Sequence, residues 1–246
     1  MYPRKNYTNM NVIITGASRG IGRETARLFA LEKNAHTLAI SRNRERLGEL
    51  KEECAAKNPS ACLFPVAYDL TRLPSDDDFV RSTILPQFDH VDILINNAGY
   101  LKKSSFKETL PKDAEQMLSV NFAAAAELIR KLIPYMGKKG PSHVVNMSSM
   151  GGVQGSVKFS GMAYYSACKS ALATLTECLA EEFKETSVFF NCLAFGAVQT
   201  EMLSEAFPGY KAPLTVKEAA HFVVDFAIEG HKFFNGKILP VSVSTP

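Results

Sequence analysis

The chain has 246 residues, of which 46% are hydrophobic, with 28 Lys and Arg against 25 Asp and Glu for a formal charge of +3. That profile suits one ordinary globular domain, and the scattered 15 Gly and 12 Pro exclude collagen-like and disordered chains. A charge this small, with its basic residues in isolated pairs such as Lys102/Lys103 and Lys138/Lys139, leaves no footprint for nucleic acid.

Residues 1–9 fit neither strand nor helix and read as a loose extension. From residue 10 to 246 short apolar runs alternate with stretches of helical period. Strands are expected at 12–15, 37–41, 62–67, 91–96, 143–147, 188–193 and 238–243, and helices at 20–33, 44–56, 75–88, 112–136, 162–185 and 216–229. The strands are nearly continuously apolar, as strands covered on both faces are, and the alternation predicts βα units around a parallel sheet in a single domain. No linker or repeat interrupts the order.

No run approaches the ~20 apolar residues of a membrane helix, and Met1-Tyr2-Pro3-Arg4-Lys5-Asn6-Tyr7 lacks a signal-peptide core. No membrane partner is expected, and the expected location is cytoplasmic. Five cysteines (Cys54, Cys62, Cys168, Cys178, Cys192) without a Cys-x-x-Cys argue against a disulfide framework and for a reducing compartment. The cysteines and five isolated histidines predict no metal site.

Directly after the first strand stands Thr15-Gly16-Ala17-Ser18-Arg19-Gly20-Ile21-Gly22, and a helix follows. Glycines here let the chain turn sharply, let the backbone approach a pyrophosphate and let the helix pack close on the sheet, its N–H groups facing the anion. This predicts a dinucleotide site at Gly16, Ser18, Arg19, Gly20, Ile21 and Gly22. The spacing is Gly-x-x-x-Gly-x-Gly rather than the commoner Gly-x-Gly-x-x-Gly.

That spacing, with Asn96-Asn97-Ala98-Gly99 after the fourth strand and Tyr165-Ser166-Ala167-Cys168-Lys169 opening a helix, resembles the short-chain dehydrogenase/reductase family in its short single-domain branch. The resemblance runs from Asn11 onward. It implies an α/β fold, a doubly wound, Rossmann-type, seven-stranded parallel sheet flanked by helices on both faces, with a nicotinamide cofactor across the C-terminal ends of its strands. Asn97, Ala98 and Gly99 are then cofactor contacts, as are Asp69 and Leu70 on the adenine side and Gly196, Val198 and Thr200 near the nicotinamide.

Charge argues which cofactor. The strand-two end reads Ile40-Ser41-Arg42-Asn43, with no carboxylate for a ribose 2′-OH. Ser41, Arg42 and Arg19 instead suit a 2′-phosphate, because planar guanidinium forks match phosphate oxygens, and NADP(H) is the expected cofactor.

Tyr165 and Lys169, four apart on a helix, share one face. An adjacent ammonium favours the phenolate over the phenol, whose reference pKa is ~10, so the pair predicts a proton-transfer device that is acid in reduction and base in oxidation. Lys169 also holds the ribose in the family resembled. By the same resemblance Ser149 binds the reacting oxygen, Ser148 is a structural neighbour capping the strand end, and Asn121 helps hold a water beside the lysine. Tyr164, the local rival, has no Lys four residues on. Cys168 reads as a small packing residue rather than a reactive thiol.

Two departures from the family pattern stand out. Ser149 and Tyr165 are sixteen positions apart, and the surplus, 153–161, reads as a flexible loop bulging over the active site. Phe195 stands where the family has Pro before Gly196. Residues 201–215 read as a mobile lid with Met202, Leu203, Phe207 and Tyr210 on its inner face.

The expected function is hydride transfer between NADP(H) and a small-molecule carbonyl or secondary alcohol, reductive in the main, with Tyr165 as acid/base. Two alternatives stand beside it. A 3-oxoacyl thioester reductase is disfavoured by the acidic Glu181-Glu182-Phe183-Lys184-Glu185 where carrier docking wants basic residues, and a non-catalytic NADP(H) sensor would have lost the catalytic residues. The epimerase and dehydratase branch, with its added C-terminal region, fits badly. A homodimer or homotetramer is expected through a stripe of Ala171, Leu172, Leu175 and Leu179.

Overall fold

The computed structural model describes residues 10–243, so the nine-residue extension lies outside the described residues. Seven strands, β1 (Asn11–Thr15), β2 (His36–Ser41), β3 (Leu63–Ala67), β4 (Ile93–Asn96), β5 (Ser142–Ser149), β6 (Val188–Phe195) and β7 (Lys237–Val241), form one sheet in the order β3-β2-β1-β4-β5-β6-β7. Every pairing is parallel. The helices are α1 (Gly20–Glu32), α2 (Arg44–Lys57), α3 (Pro111–Leu118), α4 (Ala124–Leu132), α5 (Ala163–Glu182), α6 (Glu201–Ala206) and α7 (Val216–Glu229).

Two apolar cores explain the near-continuous hydrophobicity of the strands. Val12 and Ile14 of β1 pack with α1, α2 and α7, while Ile13 packs on the opposite face with α4 and residues of α5. All three are fully buried. Side chains alternate across a strand, so a strand covered on both faces is apolar at every position. The order reverses between β1 and β4, and in open α/β sheets the crevice outside the carboxyl ends at such a switch point is where ligands bind.

The expected helix 75–88 is instead a 3-10 segment, Leu70–Ser75, and one wide π turn, Val80–Ile84. Asp69 caps the first through Thr71 N (3.1 Å), and Pro74 within it lacks an N–H to continue the ladder. Buried Phe79, Val80, Ile84 and Phe88 account for the helical period. The expected helix 112–136 is broken into α3, a π turn at Ser119–Ala123, α4 and a 3-10 turn at Ile133–Tyr135. Asn121 causes the break: its Nδ2 donates to the carbonyl of Met117 four residues earlier (2.8 Å), competing with the backbone ladder.

A polar chain ties the sheet to α5. Asn96 Nδ2 donates to Asn146 Oδ1, Asn146 Nδ2 to Thr176 Oγ1, and Thr176 Oγ1 to Leu172 O, each at 2.9 Å and each buried. Thr176→Val removes the acceptor from a buried amide, so unfolding in urea should show a loss of about 1–3 kcal/mol with an unchanged slope; an unchanged midpoint would contradict this.

Candidate active site

The turn after β1 is built by close approach. Gly16 has φ +69°, and a Cβ there would meet Ala98 Cα at 2.8 Å; a Cβ on Gly22 would meet Asn97 Nδ2 at 2.3 Å and Gly16 O at 2.5 Å. Only glycine fits at either position. Asn97 braces the loop, its Nδ2 donating to Thr15 O (3.0 Å) and Gly16 O (3.3 Å). Thr15 Oγ1 accepts from the N–H groups of Asn97 and Ala98, both at 3.0 Å. Arg19, at the N-cap of α1, makes no side-chain cap, and the first turn has no acidic residue. The uncapped helix end therefore presents its free N–H groups and positive end.

This turn forms one end of a cleft of about 830 Å³. Gly16, Ser18, Arg19, Gly20, Ile21, Ser41, Arg42, Asp69, Leu70, Asn97, Ala98, Gly99, Gly196, Val198 and Thr200 all line it, with Ser149, Tyr165 and Lys169. Gly22 and Asn121 stand behind the wall. Asp69 does double duty: Thr71 N and Thr71 Oγ1 (2.9 Å) both donate to its Oδ1, so it caps a turn while facing the cleft. At the end expected to take the ribose, Arg46, on the first turn of α2, joins Arg19 and Arg42. An uncapped helix end, a cradle that a Cβ would fill and three guanidiniums fit a phosphorylated dinucleotide.

At the other end, Lys169 is 3% exposed and its Nζ donates to Met147 O (2.7 Å). Burial pushes its ammonium down to about 8. Its Nζ lies 5.9 Å from the Tyr165 ring centroid. The Tyr165 hydroxyl is raised to about 12, burial outweighing a hydrogen bond with Ser149 that lowers it. The phenol is thus not activated toward its anion, contrary to the expectation drawn from the neighbouring ammonium.

The strand-end cap expected of Ser148 is made by Ser149, the residue expected to bind the reacting oxygen. Ser149, the last residue of β5, caps the 3-10 turn Met150–Gly152 through Gly151 N (3.2 Å). Ser148 lies within β5, its Oγ donating to Lys169 O (2.8 Å) and so anchoring the lysine's own backbone. Asn121 uses both amide hydrogens and one of the two acceptor sites of its oxygen: Nδ2 donates to Tyr100 O (2.7 Å) and Met117 O, and Oδ1 accepts from Tyr100 N (3.0 Å). Tyr164 lies outside the cleft and stacks on Phe106, ring centroids 5.4 Å apart. Cys168 is buried, which raises its thiol.

Phe195 ends β6 as a paired, buried strand residue, and Gly196 N donates to Val241 O (3.0 Å). The expected lid carries the short helix α6, capped by Thr200 (Leu203 N to Oγ1, 3.2 Å). Met202, Leu203 and Phe207 line the cleft, whereas Tyr210 is exposed. Of the loop 153–161, Phe159 meets Phe207 edge-on at 5.9 Å, and Gly161 O accepts from Ser104 N (3.0 Å). Through Phe159 the surplus residues touch the lid, and none of 153–161 lines the cleft.

Sequence reasoning missed Arg46, Tyr100, Leu101, Val120 and Met162 on the wall. Arg46 had a signal, four positions after Arg42 at the start of a helix; the apolar four had none beyond ordinary hydrophobicity.

The pattern of the short chain dehydrogenase family matches residues 10–211. A fatty acyl-CoA reductase of Acinetobacter baylyi is 32% identical over 90% of this chain and 74% of its own length. Dehydrogenase/reductase SDR family member 7B of Bos taurus is 32% identical over 79% of this chain, which spans 59% of that protein. The structure of L-sorbose reductase from Gluconobacter frateurii, complexed with NADPH and L-sorbose, superposes with a TM-score of 0.84 at 25% identity, covering 98% of this chain and 97% of that one. Its sequence match, relatives, parallel sheet and glycine-loop cleft place the chain in the short chain dehydrogenase family of oxidoreductases.

Proposed function

We propose that this chain, as one domain spanning 10–246, is an NADP(H)-dependent reductase of a small-molecule carbonyl, running in reverse as a secondary-alcohol dehydrogenase. The observation that carries the reading is the convergence of Ser149, Tyr165 and Lys169 at one end of a cleft whose other end is the glycine loop with three arginines. The NADPH complex of the sorbose reductase relative supports the cofactor. Gly16, Gly20 and the α1 N-terminus would hold the pyrophosphate, Arg19, Arg42 and Arg46 the 2′-phosphate, and Lys169 the nicotinamide-side ribose. The cofactor would supply the hydride to the carbonyl carbon.

Tyr165 starts protonated, as a general acid must. Its proton passes to the carbonyl oxygen as that oxygen gains charge, while Ser149 Oγ donates a hydrogen bond to the same oxygen. The charged Lys169 then stabilises the phenolate left behind. The Asn121 side chain, bound to Tyr100 and Met117, holds the π turn open beside Gly99.

A fatty acyl thioester is the second reading for the substrate, supported by the apolar wall of Leu101, Val120, Met162, Met202 and Phe207 and by the acyl-CoA reductase relative. A homodimer or homotetramer in the cytoplasm completes the proposal. Leu172 of the expected stripe is buried, so the better support is Phe222 on α7 and Phe233 and Phe234 just after it, which stay exposed; a monomer by light scattering refutes it.

Purified protein should oxidise NADPH in preference to NADH with members of a carbonyl and acyl-thioester panel. Tyr165→Phe should cut turnover by about 10²–10⁴-fold and leave NADPH affinity within about twofold. Tight binding with no turnover on any substrate would instead indicate the sensor.

A further inference from the structure

The ribose end of the cleft carries two carboxylates besides its three guanidiniums. Glu201 and Glu205 are four apart on α6 and so share a face. That face meets the glycine loop: Thr200, the cap of α6, packs its methyl where a Cβ on Gly20 would lie 3.5 Å away. Arg19 Nη1 donates to Glu205 Oε1 at 2.6 Å. Glu201 lies between Arg19 Nε (3.9 Å) and Arg46 Nη1 (3.5 Å). Arg42, on the same wall, has no ion pair among the described residues.

We propose that Glu201 and Glu205 are cofactor-discriminating residues that compete with a 2′-phosphate for Arg19 and Arg46. This rests on the assignment of the ribose end to a 2′-phosphorylated cofactor. All four side chains are more than a third exposed. Ion pairs this exposed are weak and exchangeable. A dianionic phosphate offers each guanidinium more oxygens than one carboxylate does, so it can take the arginines over. The carboxylates then either leave or stay and repel, and in both cases the penalty falls on the 2′-phosphorylated ligand alone. A ribose with a free 2′-OH leaves the pairs in place.

The test is calorimetric binding of 2′,5′-ADP and 5′-ADP, which differ by the 2′-phosphate and carry no nicotinamide, so no turnover enters. Glu205→Gln and Glu201→Gln should each tighten 2′,5′-ADP by about fivefold, the scale of one exposed pair, and the double variant by more. Binding of 5′-ADP should not change, and Glu182→Gln, an exposed change at the far end of α5, should move neither ligand. The proposal is overturned by unchanged 2′,5′-ADP binding, by equal shifts of both ligands, or by weaker 5′-ADP binding, which would mean that the carboxylates hold the ribose hydroxyl. Failure of the wild-type protein and of every glutamine variant to favour 2′,5′-ADP over 5′-ADP refutes the 2′-phosphate assignment itself.

Discussion

A buried ammonium with one hydrogen-bonded partner is the constraint on which the catalytic end of this structure depends. Lys169 is almost wholly removed from water and rests on the Met147 carbonyl. A charge in such a place is costly unless paired. The fold secures it in three ways. Ser148 fixes the lysine's backbone, and a Cβ on Gly152 would come within 2.8 Å of the Lys169 carbonyl carbon, so the β5 end and α5 meet at contact distance. The Asn96, Asn146 and Thr176 chain sets the height of α5 over the sheet. What remains unmet is a full negative partner, and under the proposed mechanism the Tyr165 phenolate, whose ring centroid lies 5.9 Å from the ammonium, would supply it.

The raised hydroxyl and lowered ammonium follow from the same burial and pull the pair in opposite directions. At neutral pH the tyrosine keeps its proton and the lysine its charge. That is the protonation state the proposed carbonyl reduction would need before each turnover. In the proposed mechanism burial would store the proton and the reacting oxygen would release it.

Much of this was legible in the residues. Seven strands appear at the expected places because a sheet covered on both faces leaves a continuous apolar mark, and the glycine loop reads clearly because backbone approach at Gly16 and Gly22 tolerates no other residue. Helix continuity was not legible. Apolar period runs unbroken through Asn121, and only the structure shows its amide taking the Met117 carbonyl and opening a π turn. The division of labour between Ser148 and Ser149 was also hidden, since it depends on β5 running two residues further than its apolar run. The pairing of Glu201 and Glu205 with Arg19 and Arg46 joins parts of the chain that no local pattern connects.

The direct test of the account is the pH dependence of kcat/KM for carbonyl reduction, which reports groups of the free enzyme. On the proposed mechanism reduction would need Tyr165 protonated and Lys169 charged, so kcat/KM should hold level at neutral pH and fall as pH rises through about 8, where burial places the lysine's loss of its proton. In Lys169→Met that limb should vanish along with most of the activity. A rate that climbs through the same range, or a limb that survives the substitution, would contradict the assignment of Lys169 as the charge that supports proton transfer from Tyr165.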